Sequence, residues 1–122
     1  MKTLTFTISR STPSLNEIIN KRNRWAYVTM AEWWKKQIRI EAAGHAFVKP
    51  VLTIVRYSKS PVGLDDDNFR GGFKPIIDAM RKCGLIVNDD RAHLIHGKHR
   101  QGYDRKNPRT EITLEETECG LF

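Results

Sequence analysis

Residues 63–90 read GLDDDNFRGGFKPIIDAMRKCGLIVNDD, and the interpretation of the remaining chain depends on this stretch. Three consecutive aspartates (65–67) open it, and two more (89–90) close it. Carboxylates placed side by side repel one another, and proteins often keep them together because they hold a hard cation. The stretch therefore indicates a cation site whose parts flank one helix-length segment.

The charge of the whole chain contrasts with this acidic stretch. The 122 residues include 21 Lys and Arg against 14 Asp and Glu, which gives a net charge of +7. A basic body around an acidic centre indicates a nucleic acid that binds the body and is acted on at the centre. The length fits one domain with a real core.

The chain shows no sign of a membrane or export segment. Its apolar runs are too short to span a bilayer, and the first residues, MKTLTFTISR, lack the apolar core of a signal peptide. Cys83 and Cys119 do not make a disulfide framework. We therefore expect a cytoplasmic protein that does not bind membranes.

Hydrophobic periodicity predicts an α+β fold. Residues 3–9 alternate between polar and apolar, which favours a half-buried strand, and residues 51–57 are rich in β-branched side chains. Further strands are predicted at 93–99 and 111–115, and residues 102–108 are predicted to be a basic loop. The expectation is one domain over 1–122, with a mixed or antiparallel sheet of four to five strands, two main helices and a disorder-prone tail at 116–122.

The helices are predicted from capping residues and apolar stripes. Ser14 and Glu17 have the spacing of a capping box and predict a short helix. Thr29 is a suitable N-cap for a longer helix that Gly44 would end, with Trp34 on its buried stripe. The last helix precedes Gly84 and is predicted to begin near residue 73 or 74, because residue 75 is a proline.

The spacing of the aspartates predicts a metal site. In an extended chain Asp65 and Asp67 point to the same side, whereas Asp66 points away. Asp89 or Asp90, on the turn beyond the helix, would approach the same place and complete a site for Mg²⁺. The alternative is a solvated acidic turn with no metal.

Lys74 is a second candidate for the chemistry. It falls on the first turn of the helix between the two acidic ends, where it would offset charge that builds on a phosphate during cleavage. The alternative is an ordinary exposed helix lysine.

Three histidines at equal spacing resemble a metal cluster. His93, His96 and His99 would all lie on the predicted strand at 93–99, which would turn His96 to the opposite face from the other two. We therefore predict polar strand residues near DNA and no zinc site.

Basic residues concentrate in two stretches. Residues 21–27 interleave cations with aromatic side chains and would be either a solvated loop or a phosphate-contacting loop. A second basic stretch follows residue 97. The candidate DNA-binding residues are Lys21, Arg22, Arg24, Arg70, Lys98, Arg100, Arg105 and Lys106, with Arg109 as a further member.

These motifs together resemble the signature of the RusA family of Holliday junction resolvases. The matching segments are DDDN (65–68), KPIIDAM (74–80), GLIVNDD (84–90) and PSLN (13–16), together with the position of the tryptophan helix and Lys98. The resemblance implies a homodimeric endonuclease that uses Mg²⁺, with Mn²⁺ as a substitute. Such an enzyme would resolve four-way DNA junctions by paired nicks in recombination and repair, in a bacterial or phage-infected cell.

The resemblance also assigns roles to individual residues. It makes Asp65, Asp67 and Asp89 the metal-binding catalytic aspartates, with Asp90 replacing Asp89 if the turn is shifted by one residue. It makes Lys74 the essential lysine. Two other functions use the same residues: a non-catalytic protein that binds branched or single-stranded DNA, and a Mg²⁺ nuclease for flaps and other branched forms.

Overall fold

The chain folds into a single α+β unit with a mixed sheet, as predicted. The structure, a computed structural model, describes residues 1–20 and 24–117. The elements in chain order are β1 (Lys2–Ile8), α1 (Leu15–Ile19), α2 (Arg24–Ala42), β2 (Val51–Ser58), α3 (Asp66–Gly71), α4 (Lys74–Lys82), β3 (Ile95–His96), β4 (Arg100–Tyr103) and β5 (Arg109–Glu116). The two longest of these helices, α2 and α4, correspond to the two main helices expected.

The sheet has β5 in an interior position, although β5 is the last of these strands in the chain. β1 pairs antiparallel with β5, and β5 pairs antiparallel with β2. On its other side β2 pairs in parallel with both β3 and β4. A parallel pair needs a crossover connection, and α3 and α4 lie in the chain between β2 and β3. The acidic stretch is therefore part of the crossover.

A single hydrophobic core joins the sheet to the two long helices. Ile54 and Ile112 of neighbouring strands are fully buried together with Trp34 and Ile38 of α2 and Met80 of α4. The buried stripe predicted on the tryptophan helix is confirmed by Trp34, Ile38 and Ala42. These contacts hold α4, and with it one side of the acidic stretch, against the sheet.

Two helix starts differ in how well the capping signals predict them. The capping box at α1 is present, because the Ser14 hydroxyl accepts a hydrogen bond from the amide of Glu17 and the Glu17 carboxylate accepts one from the amide of Ser14. The start predicted at Thr29 is wrong, since α2 begins at Arg24. Ala26, Tyr27 and Val28 precede Thr29 and are half-buried, so burial extends the helix upstream of the best local cap.

The acidic run is a helix start and not the extended segment predicted. Asp65 caps α3, and Asp66 and Asp67 occupy its first turn. The period-two argument that pointed Asp65 and Asp67 to one side therefore does not apply. The helix forms because Asp65 supplies a cap and Phe69 is buried in the core.

The turn between α3 and α4 is in close contact with the N-terminal part of the chain. A Cβ atom on Gly72 would overlap the carbonyl oxygen of Pro13, and one on Gly71 would crowd the side chain of Leu15. α4 then begins at Lys74, as predicted, and ends before Gly84, whose φ of +83° favours glycine. The two glycines at 71 and 72 thus permit the segment around Pro13 to pack against the acidic stretch.

The strand predicted at 93–99 is confirmed only at residues 95 and 96, because the edge of the sheet is broken in two. The amides of His93 and Leu94 bond to the carbonyl of Asp90 in a turn, and only two residues then pair as β3. After Gly97 donates to the carbonyl of Leu52, the pairing is interrupted until β4 begins. Since β4 includes residues 100–103, the basic loop predicted at 102–108 begins later than expected.

Some expectations fall outside the described residues, namely those for Lys21, Arg22, Cys119 and most of the tail; Glu116 itself belongs to β5. None of the helices in the described part of the chain has the length and hydrophobicity of a membrane-spanning segment.

Candidate functional site

The acidic turn is held in place by two asparagines. The Asp65 carboxylate accepts hydrogen bonds from the amide and the side chain of Asn68 at 2.9 and 3.0 Å. Asn68 in turn accepts one from the amide of Asn16 at 3.1 Å. The hydrogen bonds from Asn68 lower the pKa of Asp65, so this carboxylate is ionised at neutral pH. The turn at 13–16 therefore fixes the conformation of the acidic turn.

The two following aspartates differ in their partners. Asp66 forms an ion pair with Arg70 one turn later on α3, with 3.0 Å between Asp66 Oδ1 and Arg70 Nε. The side chain of Asp67 is exposed and has no hydrogen bond or ion pair to any residue that the structure describes. Asp67 is thus the acid of this run whose oxygens are open to a ligand.

A cleft of about 380 Å³ lies between α3, α4 and the turn at 88–90. We call it the Lys74 cleft. Lys74 lines it with its side chain 65 % exposed, and Nζ lies 3.5 Å from Oδ2 of Asp78. Arg70, Asp89 and His96 also line it. The cleft therefore brings two cations, two carboxylates and an imidazole to one place.

Asp89 and Asp90 have different environments. Asp89 lines the Lys74 cleft. Asp90 is engaged in its own turn, where its carboxylate accepts hydrogen bonds from the ring of His93 at 2.8 Å and from the amide of Ala92 at 3.0 Å. The bond from His93 lowers the pKa of Asp90. Of the two, Asp89 is the acid that a ligand in this cleft would meet.

The predicted metal ligands do not form a ready-made cluster. Within residues 1–20 and 24–117, no group of three His, Cys, Asp or Glu side chains is close enough to hold one metal ion. Asp65 and Asp67 do not line the Lys74 cleft, whereas Asp89 does. The oxygen donors suit Mg²⁺, which binds to one or two carboxylates when water and substrate phosphate supply its other ligands.

The histidines are arranged differently from the prediction, because His96 and His99 are in contact. His99 Nδ1 accepts a hydrogen bond from the backbone amide of Ile54 at 2.9 Å, at the interruption between β3 and β4. His99 must then carry its proton on Nε2, which lies 2.8 Å from Nδ1 of His96 and donates to it. Burial, together with the charges of His96 and Arg70, lowers the pKa of His99 to about 4.

This arrangement was not predicted from the sequence. The ring of His99 replaces a backbone acceptor on the edge of the sheet and holds His96 as the tautomer with a proton on Nε2. The only signal in the sequence is the spacing of the two histidines around Gly97, which interrupts a strand pattern. His96 is therefore a hydrogen-bond donor at the margin of the Lys74 cleft.

The predicted DNA-binding residues are spread over several elements. Arg24 is the exposed first residue of α2, and Arg70 lies on α3 at the Lys74 cleft. Four others are exposed on or beside β4 and form no ion pair with any described residue: Lys98, Arg100, Arg105 and Lys106. These four form a basic patch along the broken edge of the sheet.

Arg109 has a structural role that the sequence did not indicate. Its guanidinium bonds to Glu111 at 3.0 Å and to Asp104 at 2.8 Å, and it stacks over the ring of Tyr57 at 3.9 Å. The hydrogen bonds to Glu111 and Asp104 raise the pKa of Arg109. Two acids oppose this cation, and it is less available to DNA than its neighbours.

A comparison of the chain with models of known protein families finds no match, and a comparison with curated proteins finds none either.

Proposed function

We propose that this protein is a Mg²⁺-dependent endonuclease that cuts DNA four-way junctions as a homodimer. The observation that supports the proposal most is that Lys74, at the start of α4, and Asp89, on the turn after it, line the same cleft. The resemblance of the motifs at 65–68, 74–80 and 84–90 to the RusA family adds support. A dimer with twofold symmetry would present two such clefts, as paired cuts require.

The roles of the residues follow from their positions around the cleft. Lys74 would contact a non-bridging phosphate oxygen and offset the charge that grows there in the transition state. Arg70 would bind the same or an adjacent phosphate, and its pairing with Asp66 limits its movement. Asp78 keeps Lys74 over the cleft through their contact of 3.5 Å.

The metal would be held by oxygen donors of Asp65, Asp67 and Asp89, completed by water and the substrate. The chemistry that Mg²⁺ supplies when bound is polarisation of the scissile phosphate and a lower pKa of the attacking water. Because the described residues contain no group of three ligands already in place, DNA binding would have to bring the acidic turn and the cleft together.

One observation favours a second function. The lack of a preformed group of three metal ligands among the described residues is also expected of a DNA-binding protein without nuclease activity. Such a protein would bind junctions through the basic patch and would not cut them. A Mg²⁺ nuclease for flaps shares all the proposed residues and differs only in substrate.

A side-by-side cleavage assay separates these functions. Labelled four-way junction, flap and linear duplex are incubated with the protein in Mg²⁺, and binding is measured in Ca²⁺. The proposal expects symmetrical nicks in the junction in Mg²⁺ and little cutting of the duplex. Binding without cutting would support the non-catalytic function, and preferred cutting of the flap would support the other nuclease.

The neighbouring acids supply a matched pair of variants. Asp89→Asn should reduce junction cleavage by at least about a hundredfold while junction binding persists, since affinity comes mainly from the basic surface. Asp90→Asn should weaken the turn at 88–93 and leave most of the cleavage, because Asp90 bonds within that turn. The reverse pattern would transfer the catalytic role from Asp89 to Asp90.

A further inference from the structure

A second and larger cleft lies on a different part of the molecule. It has a volume of about 910 Å³ and is bordered by the segment after β1, by α2 and by the end of β2. Three cations line it, Arg10, Arg56 and Lys59, and Glu17 is the one acid among its described lining residues. We call it the Arg10 cleft. None of the residues assigned above to the nuclease centre lines it.

Arg56 is a buried cation that has one acid, Glu17, near it but forms no ion pair with it. The residue is 9 % exposed, and its Nε donates to the carbonyl of Thr12 at 2.9 Å. Within the described part of the chain, no carboxylate lies within ion-pair distance of its guanidinium. Because a guanidinium remains charged in proteins, burying it is costly, and the charge of Glu17 offsets only part of that cost. An anion bound in the cleft would offset that cost.

Arg10 is held in an orientation suited to an anion. Its guanidinium stacks over the ring of Trp33, with 3.8 Å between Cζ and the ring centroid. Trp33 in turn packs edge-on against the fully buried Trp34. Stacking fixes the plane of a guanidinium and leaves its N–H groups at the edge, where they match phosphate oxygens in pairs. No described carboxylate pairs with Arg10.

Thr12 provides an independent observation at the wall of the same cleft. The residue is 1 % exposed, and its hydroxyl is the one buried side-chain polar atom in the described residues without a hydrogen-bond partner. A buried hydroxyl without a partner costs free energy, and native proteins contain few of them. The cleft therefore combines a buried hydroxyl without a hydrogen-bond partner with three cations that one acid, Glu17, only partly balances.

We propose that the Arg10 cleft binds a backbone phosphate of the DNA, at a distance from the scissile phosphate. The ligand identity rests on the proposed function, because the charge of the cleft selects for an anion and DNA is the proposed substrate. The segment after Thr12 links the two places, since Pro13 packs on Gly72 and the amide of Asn16 bonds to Asn68 of the acidic turn. One DNA strand could therefore contact both clefts, with the Arg10 cleft positioning it.

The test measures junction binding in EDTA, so that it does not depend on cleavage. Arg10→Gln should weaken the affinity by roughly tenfold, as expected for loss of a hydrogen bond to a charged group. It should also reduce the slope of log K against log salt by about 0.9. Arg10→Lys should restore the slope and only part of the affinity, because lysine keeps the charge but lacks the planar fork.

Lys49→Gln is the matched control, because it removes one exposed positive charge and Lys49 does not line the Arg10 cleft. Lys49→Gln should leave both quantities close to those of the wild type. Circular dichroism and urea unfolding establish whether Arg10→Gln is folded. If Arg10→Gln does not fold, Lys59→Gln is used in its place, because Lys59 lines the same cleft and is exposed. Equal affinity and slope for the cleft variant and the control would overturn the proposal.

Two further outcomes separate this proposal from the nuclease proposal. Weak binding by Arg10→Gln, with no Mg²⁺-dependent nicking by the wild type, would support the phosphate site and refute the nuclease. The second outcome comes from calorimetry, which measures the binding of inorganic pyrophosphate to the wild type and to Arg10→Gln. If Arg10→Gln lost pyrophosphate binding but bound the junction normally, the cleft would be a site for free anions and the DNA assignment would be refuted.

Discussion

Acidification should destabilise the fold through His99. Its pKa of about 4 in the folded state lies below the ordinary value of 6.5, because burial disfavours the charged ring. Between these values the unfolded chain binds a proton that the folded chain does not. The stabilisation is therefore complete above about pH 6.5 and is lost as the pH falls towards 4.

The structure gives the size of this effect. The difference between the pKa values of 6.5 and about 4 corresponds to at most about 3 kcal/mol of unfolding free energy, at about 1.4 kcal/mol for each pKa unit. Because His99 is only partly buried, solvent screening reduces this to about 1–2 kcal/mol. The geometry supports the direction, since protonated Nδ1 could not accept the hydrogen bond from the Ile54 amide. Nε2 of His99 also faces a nitrogen of His96, and that contact cannot hold if both facing nitrogens carry a proton.

Urea unfolding at several pH values between about 7.5 and 4.5 measures the effect. His99→Asn is the informative variant, because its side-chain oxygen can accept the Ile54 amide and does not titrate. Its stability should fall less steeply with acidification than that of the wild type, by about 1–2 kcal/mol over the range. His45→Asn, at an exposed position, serves as the control. Parallel curves for the wild type and His99→Asn would refute the reasoning.

Further predictions concern packing and the basic surface. Gly72→Ala should destabilise the fold by about 2–3 kcal/mol in urea unfolding, since the new methyl group would overlap the Pro13 carbonyl; unchanged stability would show that this contact adjusts freely. Trp34→Ala should cost about 3–5 kcal/mol because the side chain is fully buried, and a loss below 1 kcal/mol would contradict its place in the core. Thr12→Val should keep or raise stability by about 1 kcal/mol, since it removes an unsatisfied hydroxyl, and a clear loss would indicate that the hydroxyl has a partner. Arg24→Gln should reduce the salt slope of junction binding by about 0.9 if this residue contacts phosphate, and an unchanged slope would place it away from DNA.

The alternating segments are predictable from the sequence because one residue in two is buried on each strand. β1 and β5 show this pattern, and they pair in register from Lys2 with Glu116 to Ile8 with Thr110. The helix ending before Gly84 is equally predictable, since a proline and a glycine limit it at both ends. Local chemistry and tertiary structure agree at these elements.

The remaining differences arise where tertiary contacts override local pattern. Three adjacent aspartates indicate an extended or solvated turn, and only the burial of Phe69 and the cap from Asp65 make them a helix. The edge of the sheet is broken because a side chain, that of His99, takes the amide of Ile54 in place of a backbone carbonyl. Neither long-range contact can be inferred from residue spacing.

The candidate site is predictable in composition but not in arrangement. Motif spacing identifies Lys74 and Asp89, and the structure brings both to one cleft. Motif spacing does not distinguish Asp89 from Asp90, because that difference depends on the hydrogen bond between Asp90 and the His93 ring. The Arg10 cleft has no sequence signal, since Arg10 comes from the segment after β1 and Arg56 and Lys59 from the end of β2, and these two segments meet only in the fold.

The interior position of β5 has a consequence for how the chain folds during synthesis. The ribosome produces β1 and β2 early, yet each pairs with β5, which emerges more than a hundred residues after β1 begins. Until then β1 has no partner strand in the described structure, and β2 can pair only on its parallel side. Pairings between such distant segments form slowly, and unpaired strand edges expose a nascent chain to association with others. Fast translation and rapid release from the ribosome should therefore favour correct folding of this protein, whereas slow translation of the first half of the chain should favour association with other chains.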